Sequence, residues 1–398
     1  MSGELRTDPP PPGRRQAMAR ARYVPLVVLM ICVVVATVVG RMEIRSDADR
    51  SSSQDTPDAL HASLPAACAP RVDQGLTSEP WRDQTVREAS EETFRQRTAA
   101  EHPAYIKGRD DWLFFSDVQV QDFSQAIGRQ RLTASQVRAW VAYLSEMRRD
   151  VEAQGGQFYI VVAPAKWDVY PQKLPMWAQK LRGSNSLDRL MHAHPELPFV
   201  DVRSALRGAE ELTYSPLDSH WSLYGGHVAW EAATACLRAA NDANSGLRVP
   251  EISGVDLVAD NNEFAADGVK LPVEPSRTQP VYAKPHPATT VTSIQTGASV
   301  APGPLDTIDM LDLPVETRTP DAQSDQTLLA FRDSTGSALS GQWSASFNRT
   351  IQYQHPIGGM GAPVDVPALV EKYRPDITIF SMTERYLALG PPSEASKR

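Results

Sequence analysis

Residues 133–164 read TASQVRAWVAYLSEMRRDVEAQGGQFYIVVAP and decide the fold class. Thr133 and Gln136 have the spacing of a capping box, which marks the start of a helix. Gly155 and Gly156 end that helix. The short apolar run 158–163 (FYIVVA) is rich in aromatic and β-branched residues and predicts a buried strand. The apolar positions of the helix recur at helical spacing: Val137, Trp140, Val141, Leu144, Met147 and Val151.

The segments that flank this stretch continue the alternation of helix and strand. Upstream, residues 107–115 predict a turn that feeds a short strand. Downstream, the patterns predict a helix at 187–192, strands at 199–202, 327–331, 351–354 and 376–382, and helices from 222 to 240 and from 337 to 347. These spacings predict parallel strand pairing and an α/β domain. Residues 241 to about 324 show little periodicity and many prolines, so we expect an irregular insertion there.

Composition narrows the function classes. The chain has 398 residues and a net charge of −8, which argues against nucleic acid as a partner because phosphate contacts require basic surface. Its 32 prolines are about 8% of the chain, above the usual ~5%. The sequence carries no HExxH, P-loop or G-x-G-x-x-G motif, so we expect no metal and no cofactor.

The N-terminal region predicts a membrane anchor. Residues 24–40 are uncharged and almost wholly apolar, and as a helix they would span about 26 Å. The arginines before this run place the N-terminus in the cytoplasm and the rest of the chain on the extracytoplasmic, periplasmic or outer, side: Arg14, Arg15, Arg20 and Arg22. We favour an uncleaved signal anchor, and a cleaved signal peptide is the alternative.

This topology predicts a domain organisation. It comprises a cytoplasmic leader (1–23), an anchor (24–40), a flexible tether (41–75) and one folded domain (76–390) with a proline-rich insertion (241–326). In an oxidising compartment Cys68 and Cys236 could form a disulfide bond. The alternative is that they are two unrelated buried residues.

Two polar segments carry residue types suited to nucleophilic catalysis. Asp218 and His220 lie two positions apart at the entrance of the helix that starts near 222, where Asp can orient an imidazole that acts as a base. Ser334 follows the buried strand 327–331 and precedes a helix, the setting in which a serine is exposed above a sheet. Each segment alone also fits a structural interpretation, in particular a helix N-cap at Asp333–Ser334.

Three further residues are candidates for substrate contact. Lys166 follows a strand end, where open α/β sheets place their sites, and could hold an anionic substrate or be solvated. Trp221 could stack on a ring of the substrate or pack beneath His220. Arg332, just before the serine turn, is a third candidate.

The chain resembles the alginate O-acetyltransferase (AlgJ/AlgX) family over residues of about 107–390. The resemblance is carried by five segments in order: GRDDWLFF (108–115), VAPAKWDVYPQKLP (162–175), DSHWSLYGG (218–226), FRDSTGSAL (331–339) and PDITIFSMTERYL (375–387). It implies an SGNH-hydrolase-like three-layer fold with a mainly parallel sheet. It also implies a permuted triad of Ser334, His220 and Asp218.

The resemblance has consequences for chemistry and partners. The family's serine block resembles G-D-S-F, whereas here Arg332 and Thr335 replace the glycine and the phenylalanine. The expected oxyanion donors are therefore the backbone N–H groups of Ser334 and of Thr335 or Gly336. The implied activity is acetyl transfer to a cell-surface or exported polysaccharide, with a membrane-bound O-acyltransferase as acetyl supplier. A carbohydrate esterase with the same triad, or a non-catalytic glycan-binding or assembly protein, is the alternative.

Overall fold

The structure is a computed structural model that describes Cys68, residues 79–272 and residues 274–392. The predicted leader and anchor lie outside the described residues, as does nearly all of the predicted tether. Within the described ranges, no helix is long and apolar enough to cross a bilayer. The predicted domain boundaries therefore stay predictions.

Helices and strands alternate near the two ends of the described chain, and between them a run of helices (166–240) is followed by a run of strands (252–332). The helices are α1 (Gln84–Thr98), α2 (Asp122–Ala126), α3 (Ala134–Glu152), α4 (Lys166–Val169), α5 (Met176–Gln179), α6 (Ser186–Ala193), α7 (Arg203–Gly208), α8 (Leu223–Ala240), α9 (Ser337–Ser346) and α10 (Val366–Tyr373). The strands are β1 (Tyr105–Lys107), β2 (Leu113–Phe115), β3 (Gln157–Ala163), β4 (Ile252–Val258), β5 (Arg277–Tyr282), β6 (Thr290–Ser293), β7 (Val315–Arg318), β8 (Ser324–Arg332), β9 (Phe347–Gln354) and β10 (Ile377–Thr383).

A six-stranded sheet forms the centre of the fold, in the order β3-β10-β8-β9-β7-β6. The pairs from β3 to β9 are parallel, and β7 and β6 continue the sheet in antiparallel fashion. The predicted α/β class with a mainly parallel sheet is confirmed, and the sheet is mixed at one side.

Helices cover both faces of this sheet, which gives three layers. Alternate residues of each central strand enter opposite cores, as the period of a strand requires. On one face Tyr159 and Ala330 pack with residues of α8 and α9. On the other face Ile160 and Phe331 pack with residues of α3, α6 and α10. Buried indoles fill both layers, with Trp343 of α9 in one and Trp140 of α3 in the other.

The start of α3 is as predicted. Thr133 Oγ1 accepts the Gln136 backbone N–H, and the Gln136 side chain accepts the Thr133 N–H, so the capping box is present. These two bonds satisfy N–H groups that the first helical turn leaves without partners.

The strand predicted at 199–202 is wrong. Only an isolated parallel bridge joins Phe199 to Ile160. The chain leaves the sheet at Asp201, whose Oδ1 accepts the Arg203 backbone N–H at 3.0 Å and starts α7. The Asp201 carboxylate thus binds the first N–H of the helix, and the extended segment ends after one bridge.

The prediction of irregular structure from residue 241 to about 324 is wrong in part. Its first half contains the antiparallel hairpin of β4 and β5, and its second half supplies β6 and β7 to the central sheet. Both of these strands have only four residues, TVTS in β6 and VETR in β7. Runs this short carry too little periodicity to be distinguished from loop.

Cys68 and Cys236 are joined by a disulfide bond with a Cα–Cα distance of 4.9 Å. Both residues are buried, and Cys236 lies on α8, the helix that follows the Asp218–Trp221 segment. The bridge therefore ties the start of the described chain to the layer that carries the candidate site.

Reduction of this bridge, or the double change Cys68→Ser/Cys236→Ser, is expected to lower the free energy of unfolding by about 2 to 5 kcal/mol. The bridge constrains the unfolded chain across 168 positions. The measurement is the denaturant midpoint with and without reductant. The double variant, as control, should show no response to reductant, and a wild-type midpoint unaffected by reductant would contradict the prediction.

Candidate active site

Ser334 lies at the carboxyl end of the central strand β8, in a single 3₁₀ turn, Ser334–Gly336, that leads into α9. This edge is where open parallel sheets place their reactive groups. The buried Asp333 carboxylate shapes the turn because it accepts the backbone N–H of Thr335 at 2.9 Å and that of Thr383 at 2.7 Å. Ser334 is thereby held between Asp333 and Thr335, whose positions these hydrogen bonds fix.

Arg332 explains why the turn needs Gly336. The guanidinium is fully buried and donates to Gln352 Oε1 at 2.8 Å and to the Ile308 carbonyl at 2.9 Å. A Cβ at position 336 would lie 2.2 Å from Arg332 Cδ. Arg332 therefore supports the turn from inside, and its placement contradicts the predicted substrate contact.

Asp218 and His220 enter the site on the loop before α8. Ser222 caps that helix, accepting the Gly225 N–H at 3.0 Å. A Cβ on Gly225 would meet the Thr213 carbonyl at 2.3 Å, and one on Gly226 would meet Ala338 Cβ at 2.8 Å. Gly226 lets α8 approach the start of α9 closely, which brings the His and Ser segments together, and Gly225 lets α8 approach the Thr213 backbone.

Trp221 joins the two segments directly. Its indole Nε1–H donates to the Thr335 carbonyl at 2.8 Å, and the ring is 3% exposed. The packing interpretation of Trp221 fits this placement, and the ring presents no open face for sugar stacking.

The three predicted triad residues form one hydrogen-bonded chain. His220 Nδ1 lies 2.8 Å from Asp218 Oδ1, and His220 Nε2 lies 2.8 Å from Ser334 Oγ. A neutral imidazole with its proton on Nδ1 would donate to Asp218 and accept the hydroxyl proton of Ser334. This geometry can activate a serine for attack on an acyl group.

Neighbouring charges strongly shift the pKa values of the groups in this hydrogen-bonded chain. Burial alone would lower the pKa of His220, but hydrogen bonds to Asp218 and Glu263 outweigh it and raise the pKa to about 10. Burial alone would raise the pKa values of both carboxyls, but contacts to His220 lower them. An imidazolium at His220 is thus strongly stabilised here.

The three predicted oxyanion donors are not equivalent. The Thr335 N–H donates to Asp333 Oδ1, and the Gly336 N–H donates to the Asp333 carbonyl at 3.2 Å. Among the described residues, the Ser334 N–H has no acceptor. Asp333 thus accepts the first N–H groups of the turn, as an N-cap residue does. Of the three predicted donors, only the Ser334 N–H is free to bind an oxyanion.

Lys166 is buried, which contradicts a glycan contact. Its ammonium group donates to the Pro216 carbonyl at 2.9 Å and lies over the rings of Trp112 and Phe114. Burial lowers its pKa to about 8. Lys166 therefore supports the loop that leads into Asp218.

Two residues of the site were missed by the sequence prediction, Asn261 and Glu263. Asn261 Nδ2 donates to Asp218 Oδ2 at 2.9 Å, and Glu263 Oε1 lies 3.4 Å from His220 Nδ1. Both lie between β4 and β5. The available signal was the polar run 260–263 (DNNE) within the proline-rich insertion.

Asp218, His220 and Glu263 each place one oxygen or nitrogen within 4.8 Å of the others. A metal site is one interpretation of such a group. However, Nδ1 of His220 faces both carboxylates while Nε2 faces Ser334, which is the arrangement of a hydrogen-bonded base. We therefore assign the cluster to acid–base chemistry.

Residues 105–251 match the family model of the SGNH hydrolase-like domain of the acetyltransferase AlgX. The predicted family resemblance is confirmed. The AlgX-like segment includes Asp218 and His220, whereas Ser334 lies beyond it. No curated protein matches the sequence.

The chain is also similar to solved structures. A DHHW family protein from Eubacterium siraeum has 17% identity and a TM-score of 0.48, covering 65% of this chain and 87% of that one. PatB1 from Bacillus cereus has 12% identity and a TM-score of 0.49, covering 71% and 96%. The O-acetyltransferase domain of Pseudomonas putida AlgJ has 16% identity and a TM-score of 0.43, covering 74% and 95%. Such similarities do not identify a substrate.

Proposed function

We propose that this protein is an extracytoplasmic O-acetyltransferase that moves an acetyl group, through a Ser334 acetyl-enzyme, onto hydroxyls of a cell-surface or exported polysaccharide. The observation that carries the proposal is the Ser334–His220–Asp218 chain, with two contacts of 2.8 Å. The match of residues 105–251 to the AlgX domain supports acetyl transfer as the reaction.

The first half-reaction loads the serine. Ser334 Oγ attacks the carbonyl carbon of an acetyl donor while His220 Nε2 takes the hydroxyl proton. The resulting oxyanion would accept the Ser334 N–H. Collapse breaks the bond to the leaving group, which receives the proton from the imidazolium, and leaves an acetyl ester on Ser334.

The second half-reaction uses a sugar hydroxyl. His220 removes the hydroxyl proton as the sugar oxygen attacks the acetyl carbonyl carbon. Collapse of the second tetrahedral intermediate returns the proton to Ser334 Oγ and releases the acetylated sugar. Water in place of the sugar would make the same site an esterase, so access of acceptor and water decides between the two activities.

Location and partner follow from the same proposal. The Cys68–Cys236 bridge supports an oxidising, extracytoplasmic compartment, where structural disulfides persist. Residues 24–40 would anchor the chain in the membrane. Because acetyl-CoA is cytoplasmic, a membrane-bound O-acyltransferase would pass acetyl groups across the bilayer to Ser334.

A groove of about 520 Å³ borders the loop before Asp218 and is a candidate for the acceptor. Leu217, Tyr105, Lys107 and Lys270 are among its lining residues. Tyr105 stacks on His102 with ring centroids 4.5 Å apart. Asp110, Asp111 and Glu274 line the groove as well, and Lys107 lies 3.4 Å from Asp111. An aromatic ring beside polar groups of both charges suits a glycan, without a preference for acidic groups.

The purified full-length chain is expected to transfer acetyl from a chromogenic ester to added oligosaccharide in preference to water. The measurement is the ratio of acetylated sugar to free acetate, by mass spectrometry, as oligosaccharide concentration rises. Acetyl-enzyme should appear on the peptide that contains Ser334.

Two outcomes would contradict this prediction in different ways. Acetate release that oligosaccharide does not divert, together with deacetylation of an acetylated glycan, would identify an esterase. Glycan binding without labelling of Ser334 would identify a non-catalytic protein on this fold.

A further inference from the structure

We infer that Glu263, carried by the insertion between β4 and β5, is a positioning residue that acts as a second carboxylate on His220 and sets the pH range in which His220 works as a base. This inference rests on the proposed acetyl transfer and adds a residue to its machinery. The insertion lies against the loop before α8, and its Glu263 carboxylate faces the His220 imidazole.

The segment that carries Glu263 is anchored on both sides. Phe264 is 1% exposed and packs against Leu113 and Leu217. Asp260 accepts the Leu217 N–H at 3.2 Å and the Ser276 hydroxyl at 3.0 Å. Glu263 is therefore fixed against the same loop that leads into Asp218.

Glu263 contacts the Asp218–His220 loop with both carboxylate oxygens. Oε1 lies 3.4 Å from His220 Nδ1, and Oε2 accepts the Ser219 backbone N–H at 2.5 Å. Asp218 Oδ1 lies 2.8 Å from the same Nδ1. One imidazole nitrogen thus faces two carboxylates from separate parts of the chain.

Asn261 completes the contribution of the insertion. Its amide donates to Asp218 Oδ2, the oxygen that His220 does not use. This bond restrains the Asp218 carboxylate while Glu263 restrains the imidazole. The insertion therefore orients both members of the acid–base pair.

The other charged groups around the cluster partly offset one another. Lys166 of α4 and Arg385, which follows β10, are buried cations near Glu263, and Asp122 and Asp260 are nearby carboxylates. Among the described residues, the charged side chains that contact the His220 imidazole directly are Asp218 and Glu263, and these four groups act on it from farther away.

The direction of the effect follows from the two protonation states of His220. A protonated imidazole donates from Nε2 to Ser334 Oγ and cannot take its proton. A second carboxylate on Nδ1 favours that protonated state, and it also stabilises the imidazolium formed in the transition state. Glu263 therefore lowers activity near neutral pH and raises the maximal activity in alkaline solution.

The test is Glu263→Gln in the full chain, with kcat/KM for acetyl transfer measured from pH 5 upward. Removal of the charge is expected to move the acid limb of the profile toward lower pH, by about 1 to 2 on the pH scale. The value of kcat/KM on the alkaline plateau is expected to fall. The fall should be at most about tenfold for each pH unit by which the midpoint of the acid limb moves. The titration of the His220 ring, followed by NMR and assigned with His220→Gln, should move in the same direction.

Asp267→Asn is the matched control, because Asp267 is an exposed carboxylate on the same insertion and its loss should leave the profile unchanged. A uniform loss of activity in Glu263→Gln with no change in the midpoint of either profile would overturn the inference. So would activity that a chelator abolishes and a divalent cation restores. If the wild-type chain transferred no acetyl group at all, the proposed function would fail, whereas the NMR titration would still test Glu263.

Discussion

Ser334→Ala is expected to lower the rate of acetyl transfer on the order of 10⁴-fold and to abolish acetyl-enzyme formation. The change removes the only atom that can carry the acetyl group in the proposed mechanism. His220→Ala should give a loss of similar size, because the base acts only through the same oxygen. The two losses should not add in the double variant, since the residues act together.

Single-turnover labelling with a chromogenic ester provides the measurement, and Ser204→Ala is the control because Ser204 is an exposed serine on α7. Thermal unfolding of each variant would separate a chemical effect from a folding effect. Near-full transfer by Ser334→Ala would show that the nucleophile lies elsewhere or that the chain is not catalytic.

Asp333→Ala is expected to lower the free energy of unfolding by about 3 to 5 kcal/mol and to reduce acetyl transfer as well. The carboxylate is fully buried, accepts the N–H groups of Thr335 and Thr383, and lies 3.5 Å from His355 Nε2. Its loss leaves these donors without partners, and the turn that aims Ser334 loses its support.

The pH dependence of this loss has a definite sign. The nearby His355 imidazole and hydrogen bonds from Thr335 and Thr383 outweigh the effect of burial and hold the pKa of Asp333 below its usual range. A carboxyl with a lowered pKa stabilises the fold above its unfolded-state pKa and loses that contribution as pH falls. The stability difference between wild type and Asp333→Ala should therefore be full at neutral pH and shrink below about pH 4.

Denaturant titrations at several pH values would measure this difference. Asp325→Ala is the control, because Asp325 is exposed near the other end of β8. An Asp333→Ala variant as stable as wild type at neutral pH would contradict the structural role of this carboxylate.

The parts of the fold that the sequence predicted are those with strong local signals. The capping box at Thr133 and Gln136, the glycine stop at 155–156 and the apolar runs of β3, β8 and β10 each specify their structure within a few residues. Their burial in a parallel sheet follows from the absence of polar residues along most of these runs.

The parts that were missed depend on contacts distant in sequence. Strand β7 is stabilised by pairing with β9 and β6, and nothing in VETR itself specifies that partner. Whether Arg332 is solvated or buried depends on Ile308 and Gln352, which lie in other segments. Sequence pattern located Asp218, His220 and Ser334, but Glu263 acquires its role only when the insertion folds against the Asp218 loop.

The disulfide bond also changes where the domain is attached to whatever precedes it. The disulfide bond joins residue 68 covalently to Cys236 on α8, so a force on the chain at residue 68 acts directly on that helix. If residues 24–40 span the membrane as predicted, residues 41–67 are the linker between the bilayer and this attachment point. A linker of that length can extend at most about 95 Å. The distance that the folded domain can reach from the bilayer would thus be set by a cross-link on the helix layer that carries His220, and reduction of this cross-link would release the attachment to α8.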